Sequence, residues 1–288
     1  MRENVLHKIR MEMDSFSKGQ KRIANYILNN YDKAAFLTAA KLGSIAEASE
    51  STVVRFASQL GYDGYPEMQK ALQELIRSKL TSVQRMQASQ NQMESPDLLG
   101  HVMQRDADSI RTAIEGVDRE EFSRVVDKLL RAEHIYILGV RSSSFLAGYL
   151  NFYLHLIFKN VIFVQDTAAG EIYEQMIHIG PKDVLVGISF PRYSKMVIHA
   201  VEMAQEHGAE VIAITDSQMS PLYSLASAAL LVRCDAISFV DSMAAPLSLL
   251  NALILAVGRE RAADASATFA EMEKLWEKYS IFGKAEDE

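Results

Sequence analysis

The sequence predicts two joined folds: an all-α helix-turn-helix domain at the amino end, then a larger α/β domain on a parallel sheet. Three observations carry this. Over residues 1–80 apolar residues recur at helical spacing and no strand pattern appears. From His134 onward, five short apolar runs alternate with helix-length segments. Between the two, residues 81–95 (TSVQRMQASQNQMES) are rich in Gln and Ser and lack periodic apolar positions, as a linker or a frayed helix extension does.

Each element follows from its own pattern. Val5, Leu6, Ile9 and Met13 keep helical spacing, and Phe16, Gln20, Ile23, Ala24, Ile27, Leu28 and Tyr31 form a second stripe. A third helix runs over about 38–46 with Thr38 placed to cap it. A fourth starts after Ser49 and stops at Gly61. Another carries Met68, Leu72, Leu75 and Ile76. Helical patterns return at about 97–114 and 120–130, the second opened by Asp118 with Glu121 three residues on, a capping-box spacing. The runs IYILGV (135–140), VIFVQ (161–165), VLVGIS (184–189), VIAIT (211–215) and ALLV (229–232) are apolar throughout rather than alternating. Such runs suit strands buried on both faces of a parallel sheet, with the spacers as crossover helices. An apolar helix over about 243–257 closes the domain, and a tail with Trp276 ends in KAEDE. The expected boundaries are 1–80 for the helical domain, 81–117 for a helical linker, 118–265 for the α/β domain and 266–288 for a last helix and tail.

Composition narrows the function classes. Of 288 residues, 49% are hydrophobic and 23% charged, which excludes a disordered chain. The most apolar stretch, Leu247 to Val257, is too short to span a bilayer, and the charged start MRENVLHKIRMEMD is no signal peptide. A reducing cytoplasm is the expected compartment. The single cysteine, Cys234, forms no internal disulfide and no thiolate zinc site, and the seven histidines lack metal-type spacing, so no metal or cofactor is expected. The net charge of −7 is uneven: residues 1–80 hold 12 Lys and Arg against 9 Asp and Glu, a net +3, which leaves −10 for the rest. A polyanion partner would meet the basic part, although +3 is also an ordinary solvated surface.

The segment LTAAKLGSIAEASESTVVRFASQLGY has the length and stops of a helix-turn-helix. Val53, Phe56, Ala57 and Leu60 form the buried stripe of its second helix, which turns Ser51, Thr52, Arg55, Ser58 and Gln59 outward. Short hydroxyls at the first turn and an arginine one turn on suit a helix entering the major groove, since Arg pairs bidentately with guanine and Ser or Thr reaches phosphates and base edges. Ser49 is the expected N-cap. Lys18, Lys21 and Arg22 are candidate phosphate contacts. The alternative for Arg55 is an ion pair with Glu47 or Glu50.

In an open parallel sheet ligands bind outside the carboxyl ends of the strands, where strand order reverses. After the first strand come Arg141, Ser142, Ser143 and Ser144; after the third come Ser189, Arg192 and Ser194, each set leading into a helix. Hydroxyls and guanidinium groups at helix N-termini favour a small anion. Plain capping is the alternative for the serines, and an ion pair with Asp166, Asp216 or Asp241 the alternative for Arg192.

The residues Ser49, Thr52, Val53, Arg55, Phe56, Leu60, Gly61, Tyr62, Gly64 and Tyr65, preceded by FSKGQKRIANYIL, resemble the N-terminal domain of the RpiR/MurR family of bacterial transcription regulators. Residues 120–260, through GVRSSS, GISF and GAEVIAITDSQMSPL, resemble the SIS (sugar isomerase) domain of the same family. The resemblance implies a five-stranded parallel sheet flanked by helices, a homodimer or tetramer, a double-stranded DNA operator and phosphosugar-type effectors. Three departures stand out. Glu47 replaces a turn glycine, and Gly43 replaces an alanine, which is expected to loosen the first helix of the pair by up to about 1 kcal/mol. The usual SIS loop Ser-x-Ser-Gly-x-Thr reads here Ser189, Phe190, Pro191, Arg192, Tyr193, Ser194, which exchanges a phosphate cradle for a guanidinium.

The expected function is therefore a transcription regulator that senses a phosphosugar or sugar acid and controls carbohydrate or carbon-source genes. The rivals are a phosphosugar isomerase and a sugar-phosphate-binding module without DNA binding. An isomerase needs a Glu or His base at the strand ends. The two loops offer none, with Glu171 the nearest carboxylate and His178 and His199 inside helix-length segments, so no catalytic residue is expected.

Overall fold

The structure is a computed structural model and describes residues 5–79, 83–86, 96–165, 170–234 and 240–282. Contacts divide the chain into two compact units, Met1–Ala88 and Ser89–Glu288.

The first unit is helical. It comprises α1 (Val5–Met11), a 3-10 turn at Met13–Ser15, α2 (Lys18–Asn29), α3 (Tyr31–Ala34), α4 (Ala39–Ile45), α5 (Glu50–Gln59) and α6 (Tyr65–Lys79). The stops are set by side chains that satisfy orphan backbone groups. Ser17 and Gln20 form a reciprocal capping box on α2, and Thr38 accepts from Lys41 N to cap α4. At the end of α5, Gly61 takes φ +83°, so that Gly61 N donates to Ser58 O at 3.0 Å and Tyr62 N to Ala57 O at 3.2 Å, the Schellman arrangement. Ile9, Ile23, Ile27, Phe56, Met68 and Leu72 are buried together, with the Phe16 and Phe56 rings 4.9 Å apart.

Gly43 differs from expectation. A Cβ there would lie 2.8 Å from the backbone oxygen of Ala48 and 3.3 Å from Glu50 N. The turn after α4 folds directly onto Gly43, with Ala48 N donating to Gly43 O at 2.8 Å. The glycine admits this close backbone approach, which a side chain would obstruct and which stands against the loosening expected from propensity.

The second unit opens with α7 (Leu98–Gly116) and α8 (Arg119–Arg131). Then alternate β1 (Ile135–Gly139), α9 (Ser143–His155), β2 (Val161–Val164), α10 (Glu171–Gln175), β3 (Val184–Ile188), α11 (Lys195–Glu206), β4 (Glu210–Thr215), α12 (Pro221–Leu225) and β5 (Ala228–Leu231). α13 (Ala244–Glu260) and α14 (Ala262–Lys278) close it. All five strands are parallel in the order β2-β1-β3-β4-β5, and Ile135 is in register with both Val161 and Val184. One face of the sheet packs on α8, α9 and α13, the other on α10, α11 and α12. β1 and β3 are buried along their whole length, as uninterrupted apolar runs require.

Two local outcomes differ from the sequence patterns. Asp118 caps α8 through Glu120 N and Glu121 N, but the Glu121 carboxylate does not complete a capping box. It accepts from Ala229 N at 2.8 Å and so covers the edge strand β5. The helix expected within a linker, α7, belongs to the second unit: Ile110 and Ala113 pack on its core, and Ser242 Oγ donates to Asp106 Oδ1 at 2.5 Å. Of the expected 81–95 linker, residues 81, 82 and 87–95 lie outside the described residues. Among the described residues no helix is long and apolar enough to cross a membrane.

Candidate functional site

At the start of α5 three hydroxyls form a cluster. Ser49 Oγ accepts from Thr52 N at 3.2 Å and lies 2.9 Å from Ser51 Oγ and 2.7 Å from Thr52 Oγ1. Val53, Phe56 and Ala57 point into the core, which leaves Ser51, Arg55, Ser58 and Gln59 exposed on the opposite face. Arg55 Nε donates to Ser51 O at 3.2 Å, and among the described residues no carboxylate pairs with it, Glu47 and Glu50 included. Its guanidinium thus stands at the hydroxyl cluster, one turn into the helix. Ser58 Oγ bonds back to Val54 O at 3.3 Å.

The remaining members of the expected DNA face divide. Gln59 is engaged at both ends of its amide, accepting from Gln20 Nε2 at 2.8 Å and donating to Ser15 Oγ at 3.0 Å. It ties the end of α5 to the start of α2. Arg22 is engaged as well, donating to Glu47 O and lying 3.6 Å from Glu47 Oε2. Lys18 and Lys21 carry no such contact among the described residues. Gly19 packs near Thr52, with a Cβ position 3.4 Å from Thr52 Cγ2, so the start of α2 adjoins the start of α5. Neither the Gln59 bridge nor the Arg22–Glu47 pair was foreseen, because each joins residues on different helices.

In the second unit strand order reverses between β1 and β3, and the two expected loops follow these strands. Gly139 ends β1 where a Cβ would lie 2.5 Å from Ser143 O, so the strand end and the start of α9 touch. Arg141 then takes φ +56°. Ser144 Oγ donates to Arg141 O at 2.6 Å; Ser142 is the N-cap residue yet makes no capping bond; Ser143 is buried without a side-chain hydrogen bond among the described residues. Plain capping therefore does not explain this serine triplet.

After β3, Ser189 is buried and its Oγ accepts from Ser194 N at 3.3 Å, which closes the loop on itself. Thr215 Oγ1 donates to Ser189 O at 2.7 Å and is 2.8 Å from Ser220 Oγ. Arg192 takes φ +68°, the conformation a glycine would adopt, and is exposed. Asp216, one candidate partner for Arg192, receives the Tyr193 hydroxyl at 2.8 Å. Asp166, another, lies outside the described residues. Positive φ at a non-glycine residue costs of order 1–2 kcal/mol. It occurs here at both arginines flanking the switch point. Glu171, the carboxylate nearest in sequence, begins α10.

Two clefts of about 410 Å³ open elsewhere, near the amino ends of the strands. In the first, Lys128 pairs with Glu210 at 2.5 Å and Lys182 with Glu133 at 3.4 Å, and Asp183 lies 2.9 Å from the Nδ1 of His134 beside the cleft. That pattern is structural, with Asp183 also accepting from His134 N and Gly180 N.

Comparison with known proteins agrees with this architecture. A model of the helix-turn-helix domain of the rpiR family matches residues 3–79 and a SIS domain model matches residues 128–256, together well over half of the chain. An uncharacterized HTH-type transcriptional regulator of Caldanaerobacter subterraneus is 25% identical over 269 residues, 90% of this chain and 92% of that protein. The HTH-type transcriptional regulator HexR of Pseudomonas aeruginosa is 26% identical over 216 residues, 74% of this chain and 73% of its own length. The Vibrio vulnificus NanR protein, solved in complex with ManNAc-6P, is 25% identical with a TM-score of 0.59, over 96% of this chain and 99% of that one. With an rpiR-type helix-turn-helix domain followed by a SIS domain, the chain belongs to the RpiR family of transcriptional regulators.

Proposed function

We propose that this regulator binds a double-stranded operator through α5 and responds to a small anionic sugar-type effector, a phosphosugar or sugar acid, held in the crevice between the loops after β1 and β3. Ser49, Ser51, Thr52 and Arg55 read or grip the DNA, Lys18 and Lys21 hold phosphates, and Arg141, Ser143, Ser189, Arg192 and Ser194 hold the effector. Its genes are those of carbohydrate or carbon-source metabolism, it acts as a homo-oligomer in the cytoplasm, and it performs no catalysis. The observation that carries the effector site is the pair of arginines in left-handed backbone conformation, one on each loop at the switch point. Strain of this kind concentrates at functional sites. NanR bound to ManNAc-6P supports a phosphosugar as the class of anion.

The test is a footprint on the protein's own upstream DNA, titrated with hexose phosphates and hexonic acids. Two symmetric half-sites about one helical turn, or a multiple, apart are expected. One effector class should shift the affinity. Arg55→Ala should weaken specific binding by roughly 1–3 kcal/mol, while Lys21→Ala weakens all sequences alike and lowers the salt slope. A folded Arg55→Ala protein with wild-type operator affinity sinks the assignment of α5.

A further inference from the structure

We propose that Val54 of α5 reads the 5-methyl group of a thymine in the major groove, one per operator half-site. The proposal rests on the DNA-binding role of α5 and names a specificity-determining residue within it.

Of the apolar side chains within α5, Val53, Phe56 and Ala57 are buried in the helical core. Val54 is the exception: it is 41% exposed and stands among Ser51, Arg55 and Ser58 on the outward face. A lone apolar residue on a surface is ordinary. This one is β-branched inside a helix, which lowers helix propensity, and it lies outside the buried stripe that would offset the loss. Departures from local propensity that packing does not offset concentrate at functional sites.

The surroundings specify what this side chain meets. Ser58 Oγ donates to Val54 O at 3.3 Å and Arg55 Nε donates to Ser51 O at 3.2 Å, so both neighbours direct a donor back onto the helix. The hydroxyls of Ser49, Ser51 and Thr52 are joined in one cluster at the first turn. Ser51, Val54 and Ser58 are short side chains, which lets the helix approach base edges closely in the groove. A phosphate contact is excluded for Val54, whose side chain has no donor to offer one. The apolar group that a base edge presents in the major groove is the 5-methyl of thymine, and apolar side chains read it by contact. Val54 immediately precedes Arg55, so the thymine is expected beside the guanine that Arg55 pairs with. The methyl contact and the guanidinium fork then read neighbouring base pairs without competing for one edge.

The experiment measures the Kd of the full chain for the operator duplex defined by footprinting, with each thymine of the half-sites replaced in turn by deoxyuridine. That replacement deletes the 5-methyl and keeps the base pair. For the wild type, one thymine per half-site is expected to cost about fourfold in affinity on replacement, the worth of one buried methyl-sized group. Val54→Ala is expected to lose about fourfold or more per half-site on the unmodified operator. It should be indifferent to deoxyuridine at that thymine, because the two changes remove the same contact and do not add. The position is exposed and alanine is the better helix former, so circular dichroism and Tm should not fall. The deoxyuridine series on the wild type needs no variant. A wild type indifferent to every 5-methyl overturns the proposal, and so does a deoxyuridine effect that Val54→Ala retains in full. In either case a footprint that Arg55→Ala weakens leaves the DNA-binding role of α5 standing. A wild type that protects no operator overturns that role and this proposal together.

Discussion

Arg22 of α2 donates to the backbone carbonyl of Glu47 in the turn ahead of the recognition helix, with Arg22 Nη1 3.6 Å from Glu47 Oε2. Glu47 holds φ +49°, a conformation suited to the glycine that usually occupies this turn. The arginine thus clamps a backbone that its side chain would otherwise disfavour by about 1–2 kcal/mol. The ion pair is exposed, so most of the benefit comes from the carbonyl bond.

Two roles for Arg22 separate in one experiment. As a clamp, Arg22→Ala should lower the stability of the helical unit by about 1 kcal/mol and weaken operator binding while the salt slope stays unchanged. As a phosphate contact, its loss should lower the slope by about one unit instead. The clamp predicts the first pattern, measured by operator titration across salt concentrations beside a chemical melt.

Gly43→Ala should destabilise the helical unit by about 1–3 kcal/mol, although alanine is the better helix former by up to about 1 kcal/mol. The Ala48 carbonyl lies 2.8 Å from the new Cβ and belongs to the backbone that sets the α4–α5 angle. Because the single tryptophan, Trp276, lies in the other unit on α14, the melt is followed by far-UV circular dichroism. An unchanged or raised midpoint would show that the turn can shift freely.

These cases mark what was legible in the sequence. The five strands were, within a residue or so, because a sheet buried on both faces leaves almost uninterrupted apolar runs such as VLVGI. The caps at Ser49 and Thr38 and the stop at Gly61 were legible because each is a local bond between neighbours in sequence. The approach of Ala48 to Gly43, the Arg22–Glu47 clamp, the Gln59 bridge and the Glu121–Ala229 bond were not. Each is decided by how separate elements meet, and propensity carries no such information. The left-handed backbone at Arg192 was half legible, since a glycine usually stands there; that at Arg141 gave no signal.

Tyr65 gives the helical unit an alkaline limit. Its hydroxyl donates to Leu37 O at 2.6 Å, and burial pushes its phenol up to about 12. The folded-state value lies above the unfolded value of about 10. Its contribution is thus complete below pH ~10 and is lost as pH rises from there through about 12. Tyr65→Phe should cost about 1 kcal/mol at neutral pH through the lost hydrogen bond. It should also remove this part of the alkaline loss, so that wild-type and variant melts converge as pH climbs. Curves that stay parallel up to the alkaline limit would contradict it.

Arg192 is where stability and response should part. Its φ of +68° is natural for glycine, so Arg192→Gly should raise the stability of the second unit by about 1 kcal/mol. If Arg192 is the proposed anion anchor, the variant should also abolish the effector response, because the guanidinium is gone. Arg192→Ala should lose the response without that gain, since alanine keeps the strained backbone. Arg192→Lys should rescue poorly, because an ammonium cannot offer two parallel donors to a carboxylate or phosphate. Operator affinity without effector should be the same in all three, since α5 lies in the other unit. The measurement is operator affinity against effector concentration, with Tm for each variant. If Arg192→Gly gains stability and still responds at the wild-type effector concentration, the left-handed arginine serves an internal contact rather than the ligand.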